Sequence, residues 1–338
     1  MVFVTILLIQ LKRIGDLILT TPATGALRQK FPDAKICLVV SPGCAGLLPA
    51  IPHIDRGLVV NAARTWLEVA RCRFDYCIDF TRNDRSAFLT LMSGAGTRIT
   101  SGRKKDRARL RSQIYSEFID RPLRFLHTID SNLSLLEPLD IHGVSQPVRL
   151  NLPVDAHDRA NELRAAHKIR NRYIIFHPGS ARVEKFWEAP RWTEVIERTG
   201  ENHEVDLVLT GGHSSLERNH LGKIKSALRR RIIDLSAQTD LLSLAALIDH
   251  AQLLVTVDSA AMHLAAATHT RQVILFGPTN PFHWRPRDTT ALILQGASSI
   301  PSREFSPDQP RVPLKLISTQ AVIDAMDALL SKPAAQGS

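Results

Sequence analysis

Near its C-terminal end the chain reads Leu253-Leu-Val-Thr-Val-Asp-Ser-Ala-Ala-Met-His-Leu264, followed by Val273-Ile-Leu-Phe-Gly-Pro-Thr-Asn-Pro281. The first run predicts an apolar strand that ends at Asp258-Ser259 and turns directly into an Ala-rich helix, whose first backbone N–H groups have no intrahelical partner. The second run predicts a neighbouring strand that stops in a rigid polar turn. Because the carboxyl ends of parallel strands meet at one edge of a sheet, the pair predicts a seat for a nucleotide or another phosphorylated ligand.

Strand and helix patterns alternate on both sides of this stretch. The second half predicts strands at 173–177, 205–210 and 232–235, with helices at 192–199, 217–228 and 241–248. The first half predicts strands at 3–10, 34–40, 58–60 and 76–80, with helices at 17–30 and 64–71. Parallel strands joined by helices require a sheet covered on both faces, so the expected fold class is α/β with two doubly wound halves.

The length of 338 residues exceeds what one hydrophobic core usually holds, and the sequence therefore predicts two domains. We place them at 1–165 and 166–318, followed by a C-terminal segment, 319–338, whose amphipathic helix packs back on the first domain. The stretch 147–172 combines an extended segment with a polar helix, which is typical of a connection between domains. We expect the hinge to lie there.

The four cysteines and the longest apolar runs disfavour two classes of protein. The cysteines lie in the first quarter without CxxC pairs, which predicts reduced thiols and no metal site. No apolar run approaches the length of a membrane span. We therefore expect a cytoplasmic protein whose contact with a membrane is peripheral.

The net charge of +10 favours anionic partners such as nucleic acid, acidic lipid head groups or phosphorylated substrates. The densest basic run comprises Arg98, Arg103, Lys104, Lys105, Arg107, Arg109 and Arg111. This run either meets phosphates or forms a solvated surface, which is the usual role of a charge run. No aromatic residue is interleaved between 102 and 111, so stacking on nucleic-acid bases is disfavoured.

Gly15-Asp16 follows the first predicted strand. Glycine permits a tight turn there, and we expect the Asp16 carboxylate to project into a cleft between the halves, where it could take a proton from a hydroxyl. The alternative is that Asp16 caps the N-terminus of a helix starting at Leu17, since Asp is a preferred capping residue. The two roles are compatible.

Two other strand ends carry polar residues. His177-Pro-Gly-Ser180 and the following Arg182 and Lys185 offer a hydroxyl and two cations suited to a diphosphate, unless the loop is simply solvated. The pair Gly211-Gly212 would let a ligand ring approach the backbone. Glu217 would then accept hydrogen bonds from ribose hydroxyls, or it is an exposed helical residue. His263 either faces the phosphates or packs under the strand ends.

Taken in order, these motifs resemble glycosyltransferase family 9, the lipopolysaccharide core heptosyltransferases. The matching motifs are Arg13-Ile-Gly-Asp16 with Thr20-Thr-Pro22, His177-Pro-Gly-Ser180 with Lys185-Phe-Trp187, Gly211-Gly212, Val257-Asp258-Ser259 with His263, and Phe276-Gly-Pro-Thr-Asn-Pro281. The resemblance runs from about Val4 to Leu330 and is weakest over 85–170. It implies the GT-B architecture, in which two Rossmann-like domains face each other across a cleft.

The resemblance also assigns roles to residues. It implies that Asp16 is the general base. The residues it implies for the nucleotide-sugar donor are Ser180, Lys185, Gly211, Gly212, Glu217, Asp258, Ser259, Ala260 and His263. For an anionic acceptor we expect Arg13 and, from the basic run, Arg103, Lys104 and Lys105. This chain departs from the family at Ser259-Ala260, where Thr-Gly is frequent, and at 301–313, which lacks the cysteine of many members.

The implied reaction is an inverting, metal-independent transfer of a heptose or related sugar from an ADP-sugar, ADP-heptose in the typical case, without a cofactor. The implied acceptor is a hydroxyl of the anionic, lipid-linked lipopolysaccharide inner core at the cytoplasmic face of the inner membrane, and nucleic acid is not an expected partner. The alternative is a catalytically silent or different-donor GT-B protein that binds a nucleotide sugar at the membrane surface. A nicotinamide-dependent oxidoreductase is disfavoured because the first turn lacks GxGxxG.

Overall fold

The computed structural model describes residues 4–60, 63–102, 110–121, 123–170 and 172–331. The chain forms two compact units, Met1–Asn151 and Leu152–Ser338. Each unit contains one six-stranded sheet in which all paired strands are parallel. Within the described residues, no helix is both long and apolar enough to cross a bilayer.

The first unit is built on strands β1 Thr5–Gln10, β2 Lys35–Val40, β3 Arg56–Val59, β4 Tyr76–Asp79, β5 Thr97–Ser101 and β6 Glu117–Ile119. Its helices are α1 Ile14–Ile18, α2 Thr21–Lys30, α3 Ala63–Arg71, α4 Asp84–Met92 and α5 Thr128–Ser134. The strand order is β3-β2-β1-β4-β5-β6. The central strand β1 is fully buried from Ile6 to Ile9, as expected for a parallel sheet covered on both faces.

The second unit begins with α6 Val154–Ala166, and its strands are β7 Tyr173–His177, β8 Asp206–Leu209, β9 Ile233–Asp234, β10 Leu253–Val257, β11 Gln272–Phe276 and β12 Ala291–Gln295. Its other helices are α7 Ala189–Asn202, α8 Ser215–Ala227, α9 Leu241–Asp249, α10 Ala260–Ala267, α11 Pro281–Trp284 and α12 Thr319–Leu330. The strand order is β12-β11-β10-β7-β8-β9. Each unit therefore places its first strand beside its fourth, the point where ligands bind in doubly wound sheets.

The predicted α/β class is confirmed, and the differences are local. The helix expected over 17–30 is two helices, α1 and α2. Pro22 has no N–H to donate to the carbonyl of Ile18, and the hydroxyl of Thr21 donates to that carbonyl instead, at 2.8 Å. Strands β5, β6 and β12 were not predicted, because their short sequences have no clear alternation.

Two expectations about the domains differ from the structure. The boundary lies at 151/152 rather than 165/166, because α6 packs on α9 and so belongs to the second unit. The prediction that the C-terminal helix packs on the first domain is wrong. Its apolar face, with Val322, Met326 and Leu329, is buried in the core of the second unit together with Trp192 of α7.

Candidate active site

The carboxyl ends of β7 and β10 lie side by side in the second unit, with Thr256 paired to His177. The Thr256 hydroxyl donates to the His177 carbonyl at 2.9 Å and lies 3.1 Å from the hydroxyl of Ser259. Thr256 thus ties the two strand ends together. The predicted polar residues follow both strands at this point, where the strand order of the sheet reverses.

Lys185 and Asp258 meet at this edge of the sheet. The ammonium of Lys185 lies 2.5 Å from Oδ2 of Asp258, and the two side chains are 12% and 9% exposed. The hydroxyl of Thr279 donates to the same oxygen at 2.5 Å, so the turn after β11 lies beside the end of β10 as predicted. A phosphate that binds Lys185 would share the ammonium with Asp258.

The helix after β10 starts as the sequence predicts. Helix α10 begins at Ala260, and its N-cap residue Ser259 turns its hydroxyl toward Thr256 instead of accepting from the first turn. Within the described part of the chain, no N-cap side chain therefore occupies the first N–H groups of α10, and they remain suited to an anion. His263 is buried in this helix, and its burial lowers the pKa of the imidazole to about 4, so the ring is neutral near pH 7.

Glu217 is turned toward the end of β7. Its carboxylate accepts from the hydroxyl of Ser214 at 3.0 Å, and a Cβ at Gly179 or Gly212 would overlap it. The expectation that Glu217 is an exposed helical residue is wrong, since it is half-buried. The space beside Gly212 holds this carboxylate rather than an open approach to the backbone, and Leu221 fills the space beside Gly211.

The loop from His177 to Trp187 is anchored at both ends, whereas residues 181–184 between them are exposed. Nδ1 of His177 lies 2.9 Å from the hydroxyl of Thr210, and burial lowers the pKa of His177 to about 4. Phe186 stacks on His220 with 4.4 Å between ring centroids, and Trp187 is fully buried. Ser180, which follows the Pro-Gly turn, is also buried. Of the two cations expected here, Arg182 forms an exposed ion pair with Glu184 and only Lys185 faces the strand end.

Asp16 lies after β1 in the first unit as the third residue of α1. The predicted cap of a helix starting at Leu17 is wrong, because α1 begins at Ile14 and the Asp16 carboxylate accepts from the backbone N–H of Arg13, at 3.3 Å. Asp16 is half-buried, and this burial raises its pKa although the charges of Lys12 and Arg13 lower it. A carboxylate with a raised pKa is a stronger proton acceptor.

Neighbouring residues hold this turn in place. The Gln10 side chain donates to the Thr20 hydroxyl at 3.0 Å, which in turn donates to the backbone carbonyl of Asp16 at 2.8 Å. Ser41, after β2, donates to the carbonyl of Lys12 at 3.1 Å. Both Lys12 and Arg13 are exposed. Lys12 was not singled out from the sequence, although a cation ahead of Gly-Asp at a strand end was a usable signal.

Three other cations were expected to bind the acceptor. Arg103, Lys104 and Lys105 lie outside the described residues. The guanidinium of Arg98, at the start of the basic run, donates to the backbone carbonyls of Ala95 and Ile114. Arg98 therefore holds β5 to its surroundings rather than a phosphate.

A second buried carboxylate, Asp79, ends β4 beside β1. It accepts from the N–H groups of Thr81 and Arg82 and from the hydroxyls of Ser86, at 2.7 Å, and Tyr115, at 2.6 Å. Burial raises its pKa, while these four hydrogen bonds lower it. Asp79 was not among the residues that the sequence marked as functional. Because its oxygens are occupied by this chain's own donors, we assign it to the stability of the loop after β4.

The model of the family described as glycosyltransferase family 9 (heptosyltransferase) matches residues 62–308. The chain belongs to glycosyltransferase family 9. This family 9 glycosyltransferase is 27% identical over 337 residues to lipopolysaccharide heptosyltransferase 3 of Escherichia coli K12, covering 95% of this chain and 96% of the relative.

Solved structures show the same fold. The family 9 glycosyl transferase of Veillonella parvula matches with a TM-score of 0.84 and 24% identity, covering 98% of each chain. The E. coli ADP-heptose lps heptosyltransferase II matches with a TM-score of 0.79 and 20% identity, covering 96% of this glycosyltransferase and 98% of that chain. The GT-B fold class that the sequence implied is confirmed.

Proposed function

We propose that the protein transfers a heptose from ADP-heptose to a hydroxyl of the lipopolysaccharide inner core, with inversion and without a metal ion in the reaction. Family membership and the names of the E. coli relatives support the substrate class. The observation that carries the proposal is the Lys185–Asp258 pair beside the start of α10, at the edge where β7 and β10 meet.

The donor diphosphate binds between Lys185 and the first N–H groups of α10. Both features carry positive charge, and both lie at the carboxyl ends of adjacent strands. As the sugar leaves, negative charge grows on the departing ADP, and these same groups stabilise it. Glu217, held beside the Gly179 turn, is the acceptor for the ribose hydroxyls.

Asp16 takes a proton from the acceptor hydroxyl as that oxygen attacks the anomeric carbon from the face opposite the nucleotide. One displacement of this kind inverts the configuration of the sugar. The raised pKa of Asp16 makes its carboxylate a stronger proton acceptor, which suits a general base. The exposed cations Lys12 and Arg13 flank the carboxylate and attract the anionic groups of the acceptor.

The proposal is tested with the full chain, ADP-heptose and a truncated lipopolysaccharide acceptor, with the product followed by mass spectrometry. Asp16→Asn should bind ADP as tightly as the wild type but should lose most of the transfer, since general-base catalysis is worth about 10²–10⁴-fold. In a thermal-shift panel ADP should raise the melting temperature more than UDP or GDP. If Asp16→Asn transfers the sugar at the wild-type rate, Asp16 is not the general base.

Contact with a membrane surface is part of the proposal and is assigned to α3 and α4, which pack together. Leu67, Phe88 and Leu91 are 52%, 52% and 53% exposed on these helices. Exposed Arg71 and Arg85 lie on the same helices. Apolar side chains bordered by arginines suit the surface of an anionic membrane.

Vesicle sedimentation tests this contact. We expect the protein to bind vesicles that contain anionic lipid and to bind neutral vesicles less. Leu67→Ser with Phe88→Ser should reduce the binding without changing transfer to a soluble, deacylated acceptor. Equal sedimentation of the double variant and the wild type would contradict the assignment of this surface.

A further inference from the structure

His157, Asp249 and His250 form a cluster on two packed helices of the second unit. His157 lies near the start of α6, Asp249 is the last residue of α9, and His250 caps that helix. One ligand atom from each residue lies within 4.8 Å of the other two. Nδ1 of His157 is 3.4 Å from Nε2 of His250. Three groups that bind metals thus converge where α6 meets α9.

The separation of the two imidazole nitrogens fits a shared metal ion. Two nitrogens that each lie about 2.0–2.1 Å from one tetrahedral Zn²⁺ are about 3.4 Å apart. This is the separation found between His157 and His250. A hydrogen bond between two neutral rings would use the same distance but would need no carboxylate, whereas Asp249 brings a third ligand to the same point.

The three side chains are available for a metal ion. Among the described residues, Asp249 forms no side-chain hydrogen bond or ion pair, and the rings of His157 and His250 make hydrogen-bond contact only with each other. The carbonyl end of α9 also carries partial negative charge, which favours a cation at Asp249 and His250.

The groups around His250 have opposing effects on its pKa. Burial lowers its pKa, Asp249 raises it, and His157 and Arg164 lower it. Imidazole binds metal in its neutral form, and Asp249 supplies negative charge beside the two rings. Arg164 is the opposing charge, and its guanidinium is placed 5.5 Å from the centre of the Tyr173 ring.

We propose that His157, Asp249 and His250 bind one divalent transition-metal ion that links α6 to α9. Two imidazoles and one carboxylate are a ligand set that suits Zn²⁺, with water in the fourth position. Asp249 and His250 precede β10, whereas Asp258 follows it, so the metal site and the donor-binding residues lie at opposite ends of this strand. The ion therefore stabilises the second unit and takes no part in sugar transfer.

Metal binding is measured on the full-length protein after treatment with a chelator. Equilibrium dialysis with metal analysis should give one tightly bound Zn²⁺ per chain, and excess Zn²⁺ should raise the melting temperature. Because loss of even an outer-shell partner weakens metal sites by 10–100-fold, His157→Ala and His250→Ala should each weaken binding by at least about tenfold. His167→Ala, at the end of α6 and outside the cluster, is the matched control and should bind as the wild type.

Substitution with Co²⁺ identifies the ligands. We expect the spectrum of a site with nitrogen and oxygen ligands, without a thiolate charge-transfer band. Such a band would show that the exposed Cys72 binds the metal and would overturn the proposal, as would unchanged affinity in both histidine variants or no stoichiometric binding by the wild type. Binding of ADP is measured in parallel, and because its site is separate, failure of one proposal leaves the other standing.

Discussion

Oδ2 of Asp258 accepts from two donors, the ammonium of Lys185 and the hydroxyl of Thr279, each at 2.5 Å. Lys185 and Asp258 are both largely buried, so each charge is the main compensation for the other. Removing one member of such a pair leaves an uncompensated buried charge, which costs far more than the intact pair contributes. Each charge thus depends on the other for its compensation, and both lie at the proposed donor site.

Lys185→Met should destabilise the protein by about 3–5 kcal/mol, because Asp258 loses its cation in a buried place. The double variant Lys185→Met with Asp258→Asn should recover much of this loss, since neither charge remains. ADP binding should stay weak in both variants, as measured by calorimetry at a temperature where both are folded. Wild-type ADP affinity in the double variant would show that Lys185 does not contact the diphosphate.

The rate of sugar transfer should depend on the ionisation of Asp16. Burial raises the pKa of Asp16 above its ordinary value of 3.8, and only the ionised form accepts a proton. The rate at saturating donor should therefore fall as the pH is lowered through this raised pKa. A pH profile that is flat or rises on acidification would contradict the role of Asp16.

The same carboxylate should lower the stability of the folded protein. A carboxyl group whose pKa is raised on folding contributes most favourably when protonated, and that contribution is lost as the pH rises through the folded-state pKa. Asp16→Asn should thus melt at a higher temperature than the wild type at pH 8. The difference should shrink toward pH 4, and a variant that is less stable at pH 8 would count against this reasoning.

The glycines beside Glu217 predict a steric effect. A Cβ at Gly212 would overlap the Glu217 carboxylate, which is the flexible end of its side chain, so Gly212→Ala should displace Glu217 and weaken ADP binding with little loss of stability. Glu217→Ala should weaken ADP binding to a similar degree, and wild-type ADP affinity in both variants would contradict the role of Glu217. Gly222→Ala is the control, because a Cβ there meets nothing within 4 Å and should stabilise α8 by about 0.5–1 kcal/mol.

The core position of α12 predicts sensitivity at Met326. This side chain is 1% exposed and packs with α7, so Met326→Ala should lower the free energy of unfolding by about 2–5 kcal/mol in a denaturant titration. Gln320→Ala, on the exposed side of the same helix, should change it by less than about 0.5 kcal/mol. Similar values for the two variants would contradict the observed packing.

The sequence predicted the strand ends well, because an apolar strand followed by Gly, Asp or Ser is a local signal. This signal marked Asp16, Lys185 and Asp258 as candidate site residues. The contact between Lys185 and Asp258 spans 73 positions of sequence and was not predictable from those patterns alone, since it depends on β7 lying beside β10. An amphipathic pattern also predicted that α12 buries one face but could not say which surface receives it.

The direction of Glu217 could not be predicted either. Two glycines and an acidic residue are compatible with a ligand at the backbone or with a side chain there, and only the structure shows the carboxylate beside Gly179 and Gly212. The structural role of Arg98 was not predictable from the run of positive charges. Its hydrogen bonds to the carbonyls of Ala95 and Ile114 depend on the path of the chain after β5.

The place of α12 has a consequence for the order of events on the ribosome. The first unit has its complete set of strands once residues up to Ile119 have been made, and it can close before the second is synthesised. The second unit completes its core later, because Val322, Met326 and Leu329 fill the space beside Trp192 only after α12 has emerged. Until then the nascent chain exposes an apolar groove over α7, and we expect chaperones to bind that intermediate.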